Sequence, residues 1–200
     1  MIMKCERTAE LLKEGKHVKI VALGDSLTYG WMVERGYIEV FDEMLKFKYP
    51  HASFEIVNRG LPGDTARGGF FRIQKHVIDE KPNLVLIQFA LNDALSGFTP
   101  QDFYDTMKHI VSSVEETQAE ILLLTSPLIY DEFMMKLARP YYDKIVSLGN
   151  ERSIVVARVD KYWEEQINAG VKHKSLVQAD LAHPTDAGHR LMAEAVMQHF

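Results

Sequence analysis

Five short apolar runs that alternate with helical segments constrain the fold of this chain more than any other feature. Each run is rich in Val, Ile and Leu, which is typical of a strand buried on both faces of a sheet. The predicted strands are residues 17–23, 54–57, 83–89, 120–125 and 153–159. The predicted helices are residues 37–49, 65–80, 100–117, 130–150 and 185–200.

The β-α-β-α order predicts a parallel sheet with right-handed crossovers and with helices on both faces. This is an α/β fold, a three-layer α/β/α sandwich. The length of 200 residues suits one domain with a two-sided core and is short for two. We therefore expect a single domain over residues 1–200.

Polar segments follow the predicted strands. In open parallel sheets, ligands bind outside the carboxyl ends of the strands. Residues 24–27 follow the first strand, 58–65 the second and 91–93 the third, while 180–184 come after the fifth strand and a short helix. The sequence therefore predicts that its polar chemistry collects at one rim of the sheet.

Ser26, His183 and Asp180 have the residue types of a serine-hydrolase triad. A serine hydroxyl becomes a good nucleophile when a base takes its proton, and the base works best when an acceptor fixes its tautomer. The structural alternatives are a simple turn at Ser26, and an exposed histidine beside a helix that Thr185 or Asp186 caps. The arrival of both segments at one rim favours the catalytic interpretation.

Gly63 and Asn92 are candidate donors to an oxyanion. Acyl transfer needs N–H groups aimed at the charge that develops on the carbonyl oxygen. A glycine can bring its backbone N–H close to a substrate, and asparagine can offer a side-chain amide. The structural alternatives are a turn glycine after Pro62 and an Asx turn that ends the third strand.

Together these segments resemble the GDSL family of lipases and acylhydrolases, also called SGNH hydrolases. GDSL at 24–27 matches the first block of the family, NRGLPGDT at 58–65 the second, ALND at 90–93 the third and DLAHP at 180–184 the fifth. Ala90 replaces the usual glycine of the third block, and we expect a small packing adjustment within the strand. The resemblance implies the SGNH-hydrolase fold, with a flavodoxin-like, five-stranded parallel sheet of order 2-1-3-4-5.

The resemblance also implies a role for each candidate residue. It makes Ser26 the nucleophile and first oxyanion donor, with Gly63 and Asn92 as the other donors. His183 is then the general base, and Asp180 is the acid that orients it. The implied activity is hydrolysis of a small-molecule carboxylic ester through an acyl-enzyme, with no metal and no other cofactor.

The apolar segment after the fourth strand is a candidate acyl pocket. Leu128 and Ile129 directly follow the strand end and are the substrate-binding candidates. Met134 and Met135 could adapt to varied chains, but a helix face packed on the sheet is the favoured interpretation for these two.

Charge and composition restrict the partners. The formal net charge is −5 and the basic residues are scattered, so we expect no nucleic-acid partner. Cys5 is the single cysteine, which excludes an internal disulfide and a cysteine metal cluster. The first 16 residues are too charged for a secretory signal, and no apolar span reaches about 18 residues. We expect a soluble, cytoplasmic protein without stable membrane insertion.

Other polar residues carry no predicted chemistry. Asp25 and Asp93 are expected to hold backbone turns. The remaining histidines lack a paired-ligand spacing and are expected to be solvated or capped. Among them are His51, His76, His109, His173, His189 and His199.

Three other classes of protein remain alternatives. A metallophosphoesterase would need denser Asp and His ligands than the chain offers. An inactive binding domain of the same fold would normally have lost its nucleophile or base, and both are present. An α/β-hydrolase needs G-x-S-x-G, whereas Thr28 stands at the second glycine position. The natural acyl and alcohol groups and the oligomeric state remain open.

Overall fold

The computed structural model describes residues 3–200 of the protein. Within this range, five strands form one parallel sheet of order β2-β1-β3-β4-β5. The predicted fold class and strand order are therefore confirmed. The strands are β1 (His17–Gly24), β2 (Ser53–Gly60), β3 (Leu84–Gln88), β4 (Glu120–Leu124) and β5 (Val155–Ala157).

Helices cover both faces of the sheet. One face carries α1 (Glu6–Lys13), α3 (Tyr37–Lys48), α9 (Val159–Asn168), α10 (His173–Leu176) and α11 (Asp186–Met197). The other face carries α4 (Ala66–Phe71), α5 (Ile73–His76), α7 (Pro100–Glu115) and α8 (Glu132–Arg152). The short helices α2 (Ser26–Tyr29) and α6 (Leu91–Leu95) follow β1 and β3 directly, and Ile78–Glu80 form a 3₁₀ turn.

The strands are apolar on both sides because each side packs against a helical layer. In β1, Val18 and Ile20 belong to the cluster under α3 and α11, whereas Val21 and Leu23 belong to the cluster under α4 and α7. This alternation follows from the two-residue period of a strand. Full burial of such a side chain contributes roughly 1.5–3 kcal/mol, so both layers are held firmly to the sheet.

The prediction of one continuous helix over residues 65–80 is wrong. The segment is divided into α4, α5 and the 3₁₀ turn, and the first break falls at Arg72. Gly68 and Gly69 lower the helical propensity of this stretch. The Arg72 side chain binds groups at the rim of the sheet, which favours a break at that residue.

Three titratable residues, Cys5, His189 and His199, are buried. Cys5 precedes α1, a helix that the sequence pattern did not predict. Burial raises the pKa of the Cys5 thiol to about 12, and the charge of Glu120 adds to the shift. The histidines were expected to be solvated or capped, and the burial of His189 and His199 shows that these two are not solvated. Amphipathic helices α1 and α11 bring these residues onto the sheet, so tertiary packing decides their environment.

Among residues 3–200, the helices are all too short or too polar to cross a membrane.

Candidate active site

Ser26 lies at a tight junction between β1 and α2. A Cβ atom on Gly24 would overlap the Thr28 side chain and lie only 2.9 Å from the Gln88 carbonyl oxygen, so the turn requires glycine there. The Asp25 carboxylate caps the helix by accepting the N–H of Leu27 at 2.9 Å. As the first residue of α2, Ser26 has no intrahelical acceptor for its own N–H, which leaves that group available to a substrate.

The structure brings the three predicted triad residues together. Ser26 Oγ and His183 Nε2 are 2.9 Å apart, and His183 Nδ1 and Asp180 Oδ2 are 2.6 Å apart. Ser26 is 8% exposed, so the hydroxyl lies at the base of a depression rather than on an open surface. The arrangement is a continuous hydrogen-bonded chain from carboxylate to imidazole to hydroxyl.

The local loop also holds Asp180 in its charged form. Burial raises the pKa of this carboxyl, but donation from the backbone N–H groups of Ala182 and His183 and from the His183 ring outweighs it, and the net pKa is lowered. Thr185 caps α11 by accepting the N–H of Gly188, as the structural alternative predicted. The same alternative predicted a merely exposed histidine, whereas the His183 side chain is 28% exposed and is hydrogen-bonded to Asp180 and Ser26.

The loop after β4 supports the triad loop. The carbonyl of Leu181 accepts the N–H groups of Tyr130 and Asp131 at 2.9 and 3.2 Å. Leu181 has φ 61°, a left-handed conformation that is uncommon outside glycine. Strained backbone of this kind persists where surrounding contacts hold it, and here those contacts fix the segment between Asp180 and His183.

The two other predicted oxyanion donors lie on neighbouring loops. Gly63 has φ 78°, a left-handed backbone conformation that favours glycine. The space where a Cβ would stand is open, so the conformation, and not crowding by a neighbouring group, explains the glycine. The N–H of Asp64 donates to the Leu61 carbonyl across this turn. The Asn92 amide donates one N–H to the Asp64 carbonyl at 2.9 Å, and its second N–H remains available.

A cavity of about 220 Å³ opens beside the triad. Its polar wall includes Ser26, His183 and Asn92, and most of its remaining wall is apolar. Ile129, a predicted substrate-binding residue, lies in the wall of the cavity, and its contact with substrate stays a prediction. The apolar lining consists of Leu27, Leu91, Leu95, Pro127, Ile129, Met134 and Ala182.

The placement of Leu128 in the pocket is wrong. This side chain packs against the cluster on the opposite face of the sheet, and its carbonyl accepts a hydrogen bond at 3.1 Å from His173 Nε2. Adjacent residues of an extended loop point to opposite sides, so Leu128 and Ile129 face different layers. Met134 and Met135 both pack on the core, as the favoured interpretation predicted, but Met134 also lines the cavity.

A buried polar network lies beneath Ser26, and the sequence analysis missed it. Gln88, the last residue of β3, donates to Ser126 Oγ at 2.9 Å and accepts from Thr28 Oγ1 at 3.1 Å. Thr28 also lies 3.1 Å from the Tyr37 hydroxyl. A glutamine that ends an otherwise apolar strand was the available signal, because a fully buried polar side chain needs partners.

Asp25 and Asp93 hold the turns that the sequence predicted. Asp93, in α6, accepts the N–H of Ala66 at 3.0 Å and so ties α6 to the start of α4. Burial raises the pKa of both carboxyls to about 7, and the nearby charge of Asp64 adds to the shift. Ala90 follows the end of β3 and precedes α6, so the expectation that it lies within the strand is wrong, and its side chain is buried in the core.

Within the described part of the chain, residues 3–200, no group of three or more His, Cys, Asp or Glu side chains is arranged to hold a metal ion.

Characterised proteins resemble this chain along most of its length. An acetylxylan esterase of Geobacillus stearothermophilus is 26% identical over 219 residues, which cover 94% of this chain and 95% of that protein. The thioesterase 1/protease 1/lysophospholipase L1 of Escherichia coli K12 is 30% identical over 105 residues, covering 52% of this chain and 49% of that protein.

Solved structures also resemble this chain. The crystal structure of Axe2, an acetylxylan esterase from Geobacillus stearothermophilus, has a TM-score of 0.83 at 22% identity and covers 94% of this chain and 95% of that one. LAE5, an alpha/beta hydrolase enzyme from the metagenome of Lake Arreo, has a TM-score of 0.81 at 23% identity, covering 91% and 94%. These likenesses establish the shared fold.

The sequence profile of the GDSL-like lipase/acylhydrolase family matches residues 22–191. This range includes the candidate serine, histidine and aspartate, and the two loops that hold Gly63 and Asn92. The prediction of a carboxylic ester hydrolase of the GDSL type is confirmed by this match and by the esterase relatives. The chain belongs to the GDSL-like lipase/acylhydrolase family.

Proposed function

We propose that the protein hydrolyses carboxylic esters through an acyl-enzyme on Ser26. The observation that carries this proposal is the hydrogen-bonded chain from Asp180 through His183 to Ser26, with distances of 2.6 and 2.9 Å, at the wall of an apolar cavity. A structural serine turn would not need an imidazole held in this geometry by a carboxylate.

The geometry supports a two-step reaction. His183 Nε2 takes the Ser26 proton as Oγ attacks the ester carbonyl carbon, and the resulting imidazolium gives that proton to the leaving alcohol oxygen. The C–O bond to the alcohol breaks and leaves the acyl group on Ser26. His183 then takes a proton from water, whose oxygen attacks the acyl carbon, and returns a proton to Ser26 as the acid leaves.

Three donors would stabilise the tetrahedral intermediates. These are the backbone N–H groups of Ser26 and Gly63 and the second N–H of the Asn92 side chain. Donors fixed before the reaction stabilise the developing charge without reorganising, which is why such groups lower the barrier. The hydrogen bond from Asn92 to the Asp64 carbonyl supplies that fixation for the amide.

We further propose that the cavity receives an apolar acyl chain of a few carbons. Its volume of about 220 Å³ is below the range of roughly 300–1,000 Å³ that is usual for drug-sized ligands. Its wall offers a hydroxyl-rich group few polar partners beyond the catalytic side chains. The relatives include an acetylxylan esterase and a thioesterase, so both short acyl esters and thioesters belong in a substrate panel.

The substitution Ser26→Ala tests the proposal directly. It removes the nucleophile and leaves the rest of the site in place, so turnover of a 4-nitrophenyl acyl ester should fall by several powers of ten while the melting temperature stays close to that of the wild type. Fluorophosphonate labelling followed by peptide mapping should place the adduct on Ser26. Ser126 is the matched control because it is near the site but is buried and hydrogen-bonded to Gln88.

Near-normal turnover by folded Ser26→Ala, or an adduct on another serine, would overturn the proposal. The same assay detects an inactive domain of this fold, which would turn over no ester in the panel. Ester hydrolysis should survive EDTA, because the proposed mechanism uses no metal ion.

A further inference from the structure

We propose that Arg72 is a positioning residue for the oxyanion hole, a role that rests on the esterase mechanism proposed above. Arg72 lies between α4 and α5, where the expected helix over residues 65–80 is broken. Its side chain is 13% exposed although it carries a permanent charge. A charge at such depth needs partners, and the partners of Arg72 include the segments that carry the oxyanion donors.

The guanidinium joins two backbone carbonyls and one side-chain carboxylate. Nε donates to Asp64 Oδ2 at 2.8 Å, Nη1 to the Arg59 carbonyl at 2.8 Å and Nη2 to the Gly24 carbonyl at 3.1 Å. Gly24 ends β1 two residues before Ser26, and Arg59 lies at the end of β2. The planar fork of an arginine can meet several acceptors at once, so one side chain ties both strand ends to the loop over residues 61–65.

Asp64 connects this fork to the oxyanion donors. Its backbone carbonyl accepts the Asn92 amide at 2.9 Å, and Gly63 precedes it directly in the chain. A shift of Asp64 would therefore move the Gly63 N–H and release the Asn92 amide together. A misplacement of about 1 Å at a catalytic group can cost on the order of a hundredfold in rate, so the position of Asp64 matters for chemistry.

Arg72 also balances a charge near the site. The Asp64 side chain is 8% exposed and would be an unpaired anion without Arg72. Burial is the main cause of the raised pKa of Asp25 and Asp93, and the charge of Asp64 adds to it. An unpaired carboxylate there would oppose the negative charge of the tetrahedral intermediate.

The test compares Arg72→Met and Arg72→Lys with the wild type in 4-nitrophenyl acetate hydrolysis. Because the donors act mainly in the transition state, kcat should fall by about tenfold to a hundredfold with KM changed less than about twofold. Lysine has one point charge in place of the fork, so Arg72→Lys should recover part of the loss. The pH profile of kcat/KM should keep its wild-type shape, because the triad is untouched.

The matched control is Arg152→Met. Arg152 is the last residue of α8, forms an ion pair with Glu115 and is also partly buried. This variant should lose some thermal stability and keep its kcat. If Arg72→Met does not fold, Arg72→Lys and Asp64→Asn carry the test, since Asp64→Asn keeps the backbone carbonyl that Asn92 uses.

A double substitution decides the mechanism. If Arg72 acts through the oxyanion donors, Arg72→Met combined with Asn92→Ala should lower kcat by less than the product of the two single losses. Multiplicative losses, an unchanged kcat with lower melting temperature, or a change confined to KM would each overturn the proposal. Ser26→Ala assayed in parallel keeps the two questions apart, because active Ser26→Ala would reject the esterase mechanism itself.

Discussion

At the scale of single residues, Asn92 has two kinds of contact that belong to different roles. One N–H binds the Asp64 carbonyl and therefore supports the loop, while the amide as a whole lines the cavity beside Ser26 and His183. The first contact is structural and the second is catalytic in the mechanism that we propose. Kinetics and thermal unfolding of one substitution distinguish the roles, because loss of an oxyanion donor lowers kcat, whereas loss of a purely structural contact lowers the melting temperature.

Asn92→Ala should lower kcat on the order of a hundredfold to a thousandfold, or about 3–4 kcal/mol of barrier, with little change in KM. Thermal unfolding and steady-state kinetics measured on one preparation check this. A variant that is less stable but fully active would make Asn92 a structural residue. The Ser26 and Gly63 N–H groups would then be the remaining candidate donors.

At the scale of elements, the first turn of α8 shapes the cavity. Asp131 caps this helix by accepting the N–H of Met134 at 2.8 Å, and the cap fixes where the helix begins. Met134 then lines the cavity, whereas the neighbouring Phe133 is 75% exposed. The register of one helix therefore decides which side chain limits the space for an acyl group.

Met134→Trp should narrow the range of acyl chains. A larger side chain at this position fills part of the cavity, so kcat/KM for a hexanoyl ester should fall at least about tenfold relative to that for an acetyl ester. Phe133→Trp, one residue away and exposed, should leave the ratio unchanged. Kinetics with 4-nitrophenyl esters of graded length provide the measurement, and equal ratios in both variants would mean that the acyl group lies elsewhere.

At the scale of the whole molecule, buried His189 links stability to pH. Its ring is 1% exposed, lies parallel to Tyr37 and accepts the N–H of that residue through Nδ1 at 3.2 Å. Burial lowers the pKa of His189 from 6.5 to about 4, an effect that Asp186 opposes and His183 reinforces. Between these pH values the unfolded chain binds a proton at this site that the folded protein does not.

The stability contributed by neutral His189 should therefore be complete above about pH 6.5 and should be lost as the pH falls toward 4. We expect His189→Gln to reduce the acid-induced loss of unfolding free energy by up to about 3 kcal/mol over this window. Asp25 and Asp93 act in the opposite sense, since their raised pKa values favour folding at lower pH. Urea unfolding of the variant and the wild type at pH 4.5 and 7 isolates the histidine, and equal pH slopes would contradict the prediction.

The order of strands and helices and the identity of the candidate triad could be inferred without coordinates. Strand burial on both faces, helical spacing and the residues that follow each strand are local patterns, and the GDSL and DLAHP segments carry their chemistry within a few residues. The sheet order 2-1-3-4-5 came from the family resemblance, and the observed pairing agrees with it. The single domain over residues 1–200 and the cytoplasmic location stay predictions.

The environments of individual side chains depended on the tertiary structure. Local pattern placed Leu128 in the pocket and left His189 as a solvated or capped histidine, whereas the direction of one loop turned Leu128 away and the packing of α11 buried His189. The roles of Gln88 and Arg72 were likewise hidden, because their partners lie up to 63 residues away in the chain. Spacing along a sequence predicts which elements form, but contacts between distant segments exist only once the sheet has brought the strand ends together.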